Sequence, residues 1–271
     1  MTTSPHLFAH RVEDTNPQTN AAEAVDWCRY AGAYDQMATH NPAYQDLIGR
    51  YTRTVRSWTI PAGALLVDLG AGTGNFSQEL ARSHPDSRVL HVDCDKGMNA
   101  AAGHKAASSG LRNFTILEQE AATIDLLPGS VAALTVVHAL YAMPQPEVLI
   151  ERVSDWLMPG GWLLAVDPGA PIDLGAWSRY LIASNLRSLG PVGTARLLWK
   201  AREAIRQNRR IQKAQSNGVY WRHDAVAFRE AFQRAGLAVL ESATVYRGCS
   251  DWLVARKPAV DGLIDSPETG K

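Results

Sequence analysis

Cysteine is scarce in this sequence. Cys28, Cys94 and Cys249 are the only three in 271 residues; they lie far apart and form no CxxC pair. That speaks against a disulfide framework or a thiolate zinc site, and an odd, sparse set suits the reducing cytoplasm. Long apolar runs are missing as well. No stretch of about 18 consecutive apolar residues occurs, the length that marks a spanning helix, and the N-terminal MTTSPHLFAHRVEDTNPQTN lacks the apolar centre of a signal peptide. An excess of one charge is also absent. The 27 Lys and Arg balance 27 Asp and Glu, which disfavours a nucleic-acid binder working through a basic surface. His, Asp and Glu do not cluster at metal-ligand spacing, so no metal is expected.

What is present is a chain that is 46% apolar and 20% charged, which is enough to build a core. Its length suits one domain with an elaboration. The expected organisation is an N-terminal segment and lid over 1–40, an α/β core over 41–168 and a helical insertion over 169–222. The end of the core, with a terminal hairpin, follows over 223–257, then a flexible tail over 258–271. A first core helix opens at Asn41-Pro42, a capping residue followed by proline at the first helical position. Tyr44, Leu47, Ile48, Tyr51, Val55 and Trp58 fall at helical spacing along it.

Short apolar runs then alternate with helical patterns. Strands are expected over 65–67, 88–92, 113–117, 131–138 and 162–166, with helices over 76–83, 98–108 and 147–157. That alternation predicts a parallel sheet covered on both faces, with the ligand site at the carboxyl ends of its strands. Beyond Pro168 the rhythm breaks. Helices are expected over 174–189, 193–215 and 224–235, then strands over 237–245 and 251–256 joined closely enough to form an antiparallel hairpin.

The chemistry-bearing segment is Asp68-Leu69-Gly70-Ala71-Gly72-Thr73-Gly74, placed between the first strand and a helix. Glycines let the backbone turn sharply and approach a ligand, and the helix start offers free N–H groups. Asp93, 25 residues beyond Asp68 at the end of the second strand, suits the hydroxyls of a ribose. A bare strand–helix turn would not call for three glycines at alternate positions. The order G-x-G-x-G differs from the dinucleotide fingerprint G-x-G-x-x-G, and no Gly-Lys-Ser/Thr grips a phosphate.

Asp68-x-Gly70-x-Gly72-x-Gly74 resembles the first motif of class I S-adenosylmethionine-dependent methyltransferases. His91-Val92-Asp93-Cys94-Asp95 resembles that family's second-strand ending, and Leu157-Met158-Pro159-Gly160-Gly161-Trp162 its "LxPGG" turn. The terminal hairpin is a further family trait. The resemblance covers about residues 40 to 257, except the stretch after Pro168, and departs at Val131-Ala132, where the family often has Phe-Asp. It implies a seven-stranded, doubly wound, Rossmann-like α/β sheet with a helical insertion after strand five, S-adenosylmethionine as cofactor, and methyl transfer to O, N or C of a small organic acceptor. By the same resemblance Gly70, Gly72 and Gly74 line the methionine part, Asp68 faces its ammonium directly or through water, and Asp93 takes the ribose hydroxyls. Cys94 flanks the adenine, Glu120 and Ala121 lie near its amino group, and Tyr30 or Tyr34 stacks near the sulfonium from a lid, the alternative being an ordinary amphipathic helix that packs its aromatics.

Candidates on the acceptor side follow from strand ends. His138, after strand four, is a candidate base and cofactor neighbour, against a purely structural histidine bonded to a nearby loop. Tyr141 is a candidate substrate contact. Asp167, after strand five, would orient a substrate hydroxyl or amine, or else cap the next turn. Arg187, Arg196, Lys200, Arg202, Arg206, Arg209, Arg210 and Lys213 form a basic stretch with Glu203 as its one acid. Its plainest reading is a solvated lid face; the sharper ones are an anionic acceptor or an anionic membrane surface. A nicotinamide oxidoreductase and a non-catalytic cofactor-binding interaction protein remain the rival functions. The oligomeric state stays open, a homo-oligomer included.

Overall fold

The structure, a computed structural model, describes residues 25–169 and 172–259. The expectations for the first twenty residues and most of the tail lie outside that range. Seven strands form one sheet: β1 (Leu65–Leu69), β2 (Arg88–Asp93), β3 (Phe114–Glu118), β4 (Val131–Val137), β5 (Leu157–Asp167), β6 (Ala238–Val245) and β7 (Ser250–Arg256). Their order is β3-β2-β1-β4-β5-β7-β6, with β7 antiparallel to both of its neighbours. The chain winds outward from β1 through β2 to β3, then returns to the other side of β1 with β4. The connections after β1 and β4 therefore diverge, and a crevice opens at their carboxyl ends.

Alternation along β1 divides the core. Leu66 faces a cluster with Tyr51, Val55, Phe76, Leu80 and Trp252, while Val67 and Leu69 face another with Leu149, Ile150, Val153, Phe228 and Phe232. β4 is buried along its whole length, as a central parallel strand covered on both faces must be. Helix α2 (Pro42–Arg56) starts as expected: Asn41 Oδ1 accepts from the Tyr44 amide, and Tyr44, Leu47, Tyr51 and Val55 are buried. Helices α3 (Asn75–Ser83), α4 (Lys96–Ser108), α5 (Pro146–Trp156) and α8 (Ala225–Arg234) cover the sheet.

Three differences from the sequence expectation go beyond a shift of one or two residues at an element's end. β5 begins at Leu157, because Leu157 already pairs with Val131 before the chain bulges through Pro159-Gly160-Gly161 and pairing resumes at Trp162. Trp27–Thr39 forms a full helix, α1. After β5, α6 (Leu174–Lys200) kinks at Gly190 (φ 69°) but resumes at Pro191, which a first helical turn tolerates. The turn falls instead at Ala201, before α7 (Arg202–Ser216). Ala201 and Ala204 are buried, and Ala204 packs with Tyr30, Ala31 and Ala33 of α1. Small residues at that corner let α7 fold back closely, so the basic stretch is divided between two helices.

Candidate active site

A cavity of about 480 Å³ lies at the carboxyl ends of β1, β2, β4 and β5. Its floor is the glycine loop, tied to β2 by the Ala71 amide donating to Val92 O (3.0 Å). The glycines differ in what surrounds them. A Cβ on Gly70 would come within 2.5 Å of Ala139 Cβ, and one on Gly74 within 3.0 Å of Ala102 Cβ; at Gly72 the nearest atom is Met98 Sδ, 3.9 Å away. All three have positive φ. Gly70 and Gly74 thus serve close packing within the protein, and Gly72 leaves open room on the cavity wall.

Asp93 stands beside that opening. Its Oδ2 accepts from the Gly72 amide (2.8 Å) and its Oδ1 from the Asp95 amide (2.9 Å). Each oxygen keeps a lone pair for another donor. Burial raises its pKa while these amides oppose the rise. Asp68 lies deeper, 1% exposed and off the cavity wall. Thr135 donates to its Oδ1 (2.6 Å), and Oδ2 is buried without a hydrogen bond. Burial pushes its pKa up to about 7 against the pull of the Thr135 hydrogen bond. It supports the loop from below, and a ligand on the wall would reach it only through water or that loop.

Helix α1 closes one side. Asp35 Oδ1 accepts from Thr73 Oγ1 (2.7 Å) and Asn75 Nδ2 (3.2 Å), and Lys105 Nζ pairs with its Oδ2 (2.8 Å). At the other end the Asp26 amide donates to Gln207 Oε1 (3.0 Å) and Tyr30 Oη to Asn208 Oδ1 (2.8 Å). The helix therefore joins the glycine loop to α7. Tyr30 and Tyr34 line the cavity within an edge-to-face series that continues to Tyr44. Burial raises the pKa of both well above the usual tyrosine range, so they stay neutral.

His138 and Tyr141 also reach the cavity. His138 has φ 53°, a left-handed conformation that turns the chain sharply after β4. Its Nε2 is 2.9 Å from Ser250 Oγ, and its ring packs against Tyr246 (centroids 4.9 Å apart). Burial lowers its pKa to about 4. The ring is thus unprotonated at neutral pH but a weak base, contrary to the expectation of one tuned near neutrality. Tyr141 is buried and set edge-on to Tyr220.

Asp167 does not line the cavity. It is fully buried at the end of β5, its Oδ2 3.4 Å from His223 Nε2; the other ring nitrogen is 3.3 Å from Asp251 Oδ2, on the strand paired with β5. Burial alone would lower the His223 pKa, but the two carboxylates raise it to about 9. His223 thus clamps Asp167 of β5 to Asp251 of β7. Glu120 and Ala121 are likewise off the wall: Glu120 is exposed, and Ala121 turns into the core beneath β3. Cys94 does line the cavity and is exposed.

Several wall residues carried no signal in the motifs. Trp177 and Leu181 come from α6, Ile205, Asn208, Arg209 and Gln212 from α7, and Tyr246 and Ser250 from the hairpin turn and its second strand. The spacing 205, 208, 212 is helical, but its polar members made it resemble a solvated face. Among the described residues, no group of three or more His, Cys, Asp or Glu is placed to hold a metal ion.

Residues 66–161 match the family described as "Methyltransferase domain". Over those residues the chain resembles the class I S-adenosylmethionine-dependent methyltransferase superfamily. It is similar to methyltransferase str2 of Strobilurus tenacellus (28% identical, covering 56% of this chain and 49% of that protein). It is also similar to trans-aconitate 2-methyltransferase of Sinorhizobium fredii (34%, covering 40% of each). The chain thus spans about half or less of these relatives' lengths. Among solved structures, magnesium protoporphyrin IX methyltransferase of Synechocystis shares the fold (TM-score 0.53, 15% identical, covering 79% of this chain and 84% of that one). The superfamily's cofactor, S-adenosylmethionine, fits the residues here: Gly72 is the cradle a Cβ would fill, with Asp93 beside it and neutral aromatic rings facing it.

Proposed function

We propose that the protein transfers a methyl group from S-adenosylmethionine to O, N or C of a small organic acceptor held under α6 and α7. The observation that carries this reading is the open cavity wall at Gly72, with Asp93 hydrogen-bonded to that same residue. Bound there, the cofactor supplies an activated methyl on a sulfonium that is its own leaving group. Asp93 would hold the ribose, Gly70 and Gly72 would lie along the methionine part, and Cys94 would flank the adenine. Tyr30 and Tyr34 would offer aromatic faces to the positive charge.

The remaining work is alignment and exclusion of water. α1 covers the glycine loop through Asp35, and Trp177, Leu181 and Ile205 give the acceptor side an apolar wall. That wall favours an acceptor with an apolar body, and Asn208, Arg209 and Gln212 offer polar contacts to its substituents. His138 would orient a group near the reacting centre; a base of pKa about 4 is suited to hydrogen bonding more than to strong proton abstraction. Division of the chain into lid, core, cap and tail belongs to the same proposal. Neither rival function has support in the known relatives.

The test is calorimetric titration with S-adenosylmethionine and with NAD, followed by measurement of S-adenosylhomocysteine release over a panel of hydroxyl, amine and carbon-acid acceptors. Binding of the methyl donor alone, with turnover on one acceptor class, is expected. A folded protein that ignores the donor would overturn the assignment.

A further inference from the structure

Among the described residues eleven large apolar side chains are exposed, and six of them fall between Ile182 and Trp199. Chance scatter does not concentrate them on one helix. Before the kink at Gly190 they are Ile182, Leu186 and Leu189, four and three residues apart; after it Val192 and Trp199 stand seven apart. Each spacing puts its residues on one side of a helix. Val192 is 75% and Trp199 68% exposed, so these side chains stand in solvent. A neighbouring side of α6 is the one in use: Trp177 and Leu181 line the cavity, and Asn185 donates to His40 O (3.1 Å).

Charge says what this face would meet. From Leu174 to Arg202 there are five cations, Arg179, Arg187, Arg196, Lys200 and Arg202, and no Asp or Glu. Among the described residues Arg187, Arg196 and Lys200 have no ion-pair partner. Arg196 and Lys200 border the apolar row after the kink, and the Arg202 guanidinium lies over the Trp199 ring at 4.3 Å. Two copies of the chain meeting through this face would bring these cations together. A bilayer with acidic headgroups complements them, and its acyl boundary accepts the apolar row between them. Among the described residues no helix is long and apolar enough to cross a membrane, so the contact would lie along the surface.

We propose that α6 and the start of α7 dock the protein on an anionic lipid surface, with Val192 and Trp199 entering the headgroup boundary and Arg187, Arg196 and Lys200 meeting acidic headgroups. The cavity, on the other side of the same helix, then sits next to the lipid; its use as an acceptor site rests on the function proposed above, whereas docking does not. The test is flotation of the full chain with vesicles of phosphatidylcholine alone or in equal parts with phosphatidylglycerol. Wild type should float with the mixed vesicles only, and should be released as salt rises from about 0.1 M to about 1 M. Arg187→Gln/Arg196→Gln/Lys200→Gln should weaken binding on the order of a hundredfold, and Val192→Ser/Trp199→Ser by roughly tenfold or more. Both variants should keep the wild-type melting temperature and affinity for S-adenosylmethionine, since none of these residues lines the cavity. Failure of wild type to float with the mixed vesicles, or wild-type binding by either variant, would overturn the proposal. So would sedimentation velocity showing a dimer that Val192→Ser/Trp199→Ser disperses, because the face would then belong to a second copy. Loss of methyl transfer with vesicle binding intact would count against the proposed function and leave docking standing.

Discussion

The wall that faces the proposed cofactor and the wall that faces the proposed acceptor are built from different materials. The first is backbone: the turn at Gly70 to Gly72, held by the amides of Ala71 and Gly72 and by the Asp93 carboxylate, all between the start of β1 and the end of β2. The second is side chains from α6, α7 and the hairpin turn, with α7 tied to α1 and Trp177 of α6 packed against Tyr246 of the turn. A wall of backbone tolerates few residue types at each position, because φ and the space for a Cβ are both set. A wall of side chains can be rebuilt for another ligand without disturbing the sheet. One half of the cavity is therefore restricted by geometry and the other by packing alone.

The largest expected effect tests whether the glycines of the first wall have separate tasks. Gly70→Ala combines a left-handed φ of 59° with a Cβ 2.5 Å from Ala139 Cβ, and should lower stability by about 3 kcal/mol. Gly72→Ala meets no protein atom closer than 3.9 Å and should cost only about 1–2 kcal/mol of strain, while cofactor affinity falls sharply. Thermal unfolding and calorimetry on both proteins measure this; equal losses of stability would erase the distinction.

Next in size is Asp93→Ala. It removes an acceptor from the Gly72 and Asp95 amides as well as from the proposed ribose contact, and should weaken cofactor binding by about 1.5–3 kcal/mol. Asp93→Asn retains one acceptor and should lose less. If all three proteins titrate alike, the ribose acid lies elsewhere.

Asp35→Ala probes the joint between the two walls. Its contacts to Thr73, Asn75 and Lys105 are partly exposed, so roughly 1 kcal/mol of α1 docking should be lost. The α1 amides should then exchange hydrogen faster while those of β1 and β4 stay protected. Unchanged exchange in α1 would mean that packing of Tyr30 and Tyr34 holds the helix by itself.

The smallest effect at neutral pH is expected for His138→Asn, a residue tolerated at positive φ. In the unfolded chain histidine titrates near 6.5; in the fold burial lowers His138 to about 4. The unfolded state takes the proton first, so this group's contribution is present above pH 6.5 and is lost as pH falls through 4. At pH 7 the variant should lose only the Ser250 hydrogen bond, about 1 kcal/mol. Between pH 6.5 and 4 its stability should decline less steeply than that of wild type, with His91, shifted in the same direction, contributing equally to both. Parallel curves in denaturant titrations would show that His138 is not held neutral by the fold.

The sequence by itself determined the alternation of strands and helices, the terminal hairpin, the glycine loop and Asp93. Each rests on local rules: periodicity, capping, turn chemistry and the short reach from one strand end to the next. It could not decide that Asp167 turns away from the cavity to clamp His223 with Asp251, since that depends on β7 lying beside β5. Nor could it place Glu120 and Ala121 off the wall, or divide the basic stretch at Ala201, where two buried alanines set how closely α7 returns to α1. Tyr246 and Ser250 looked like parts of a connecting turn until the hairpin carried them to His138. What a residue contacts across the chain is settled by packing between elements, and no local pattern records it; that is why the glycine loop and Asp93 could be located in the sequence while the surroundings of Glu120, Ala121 and Asp167 and the wall from α6 and α7 had to be seen in the fold.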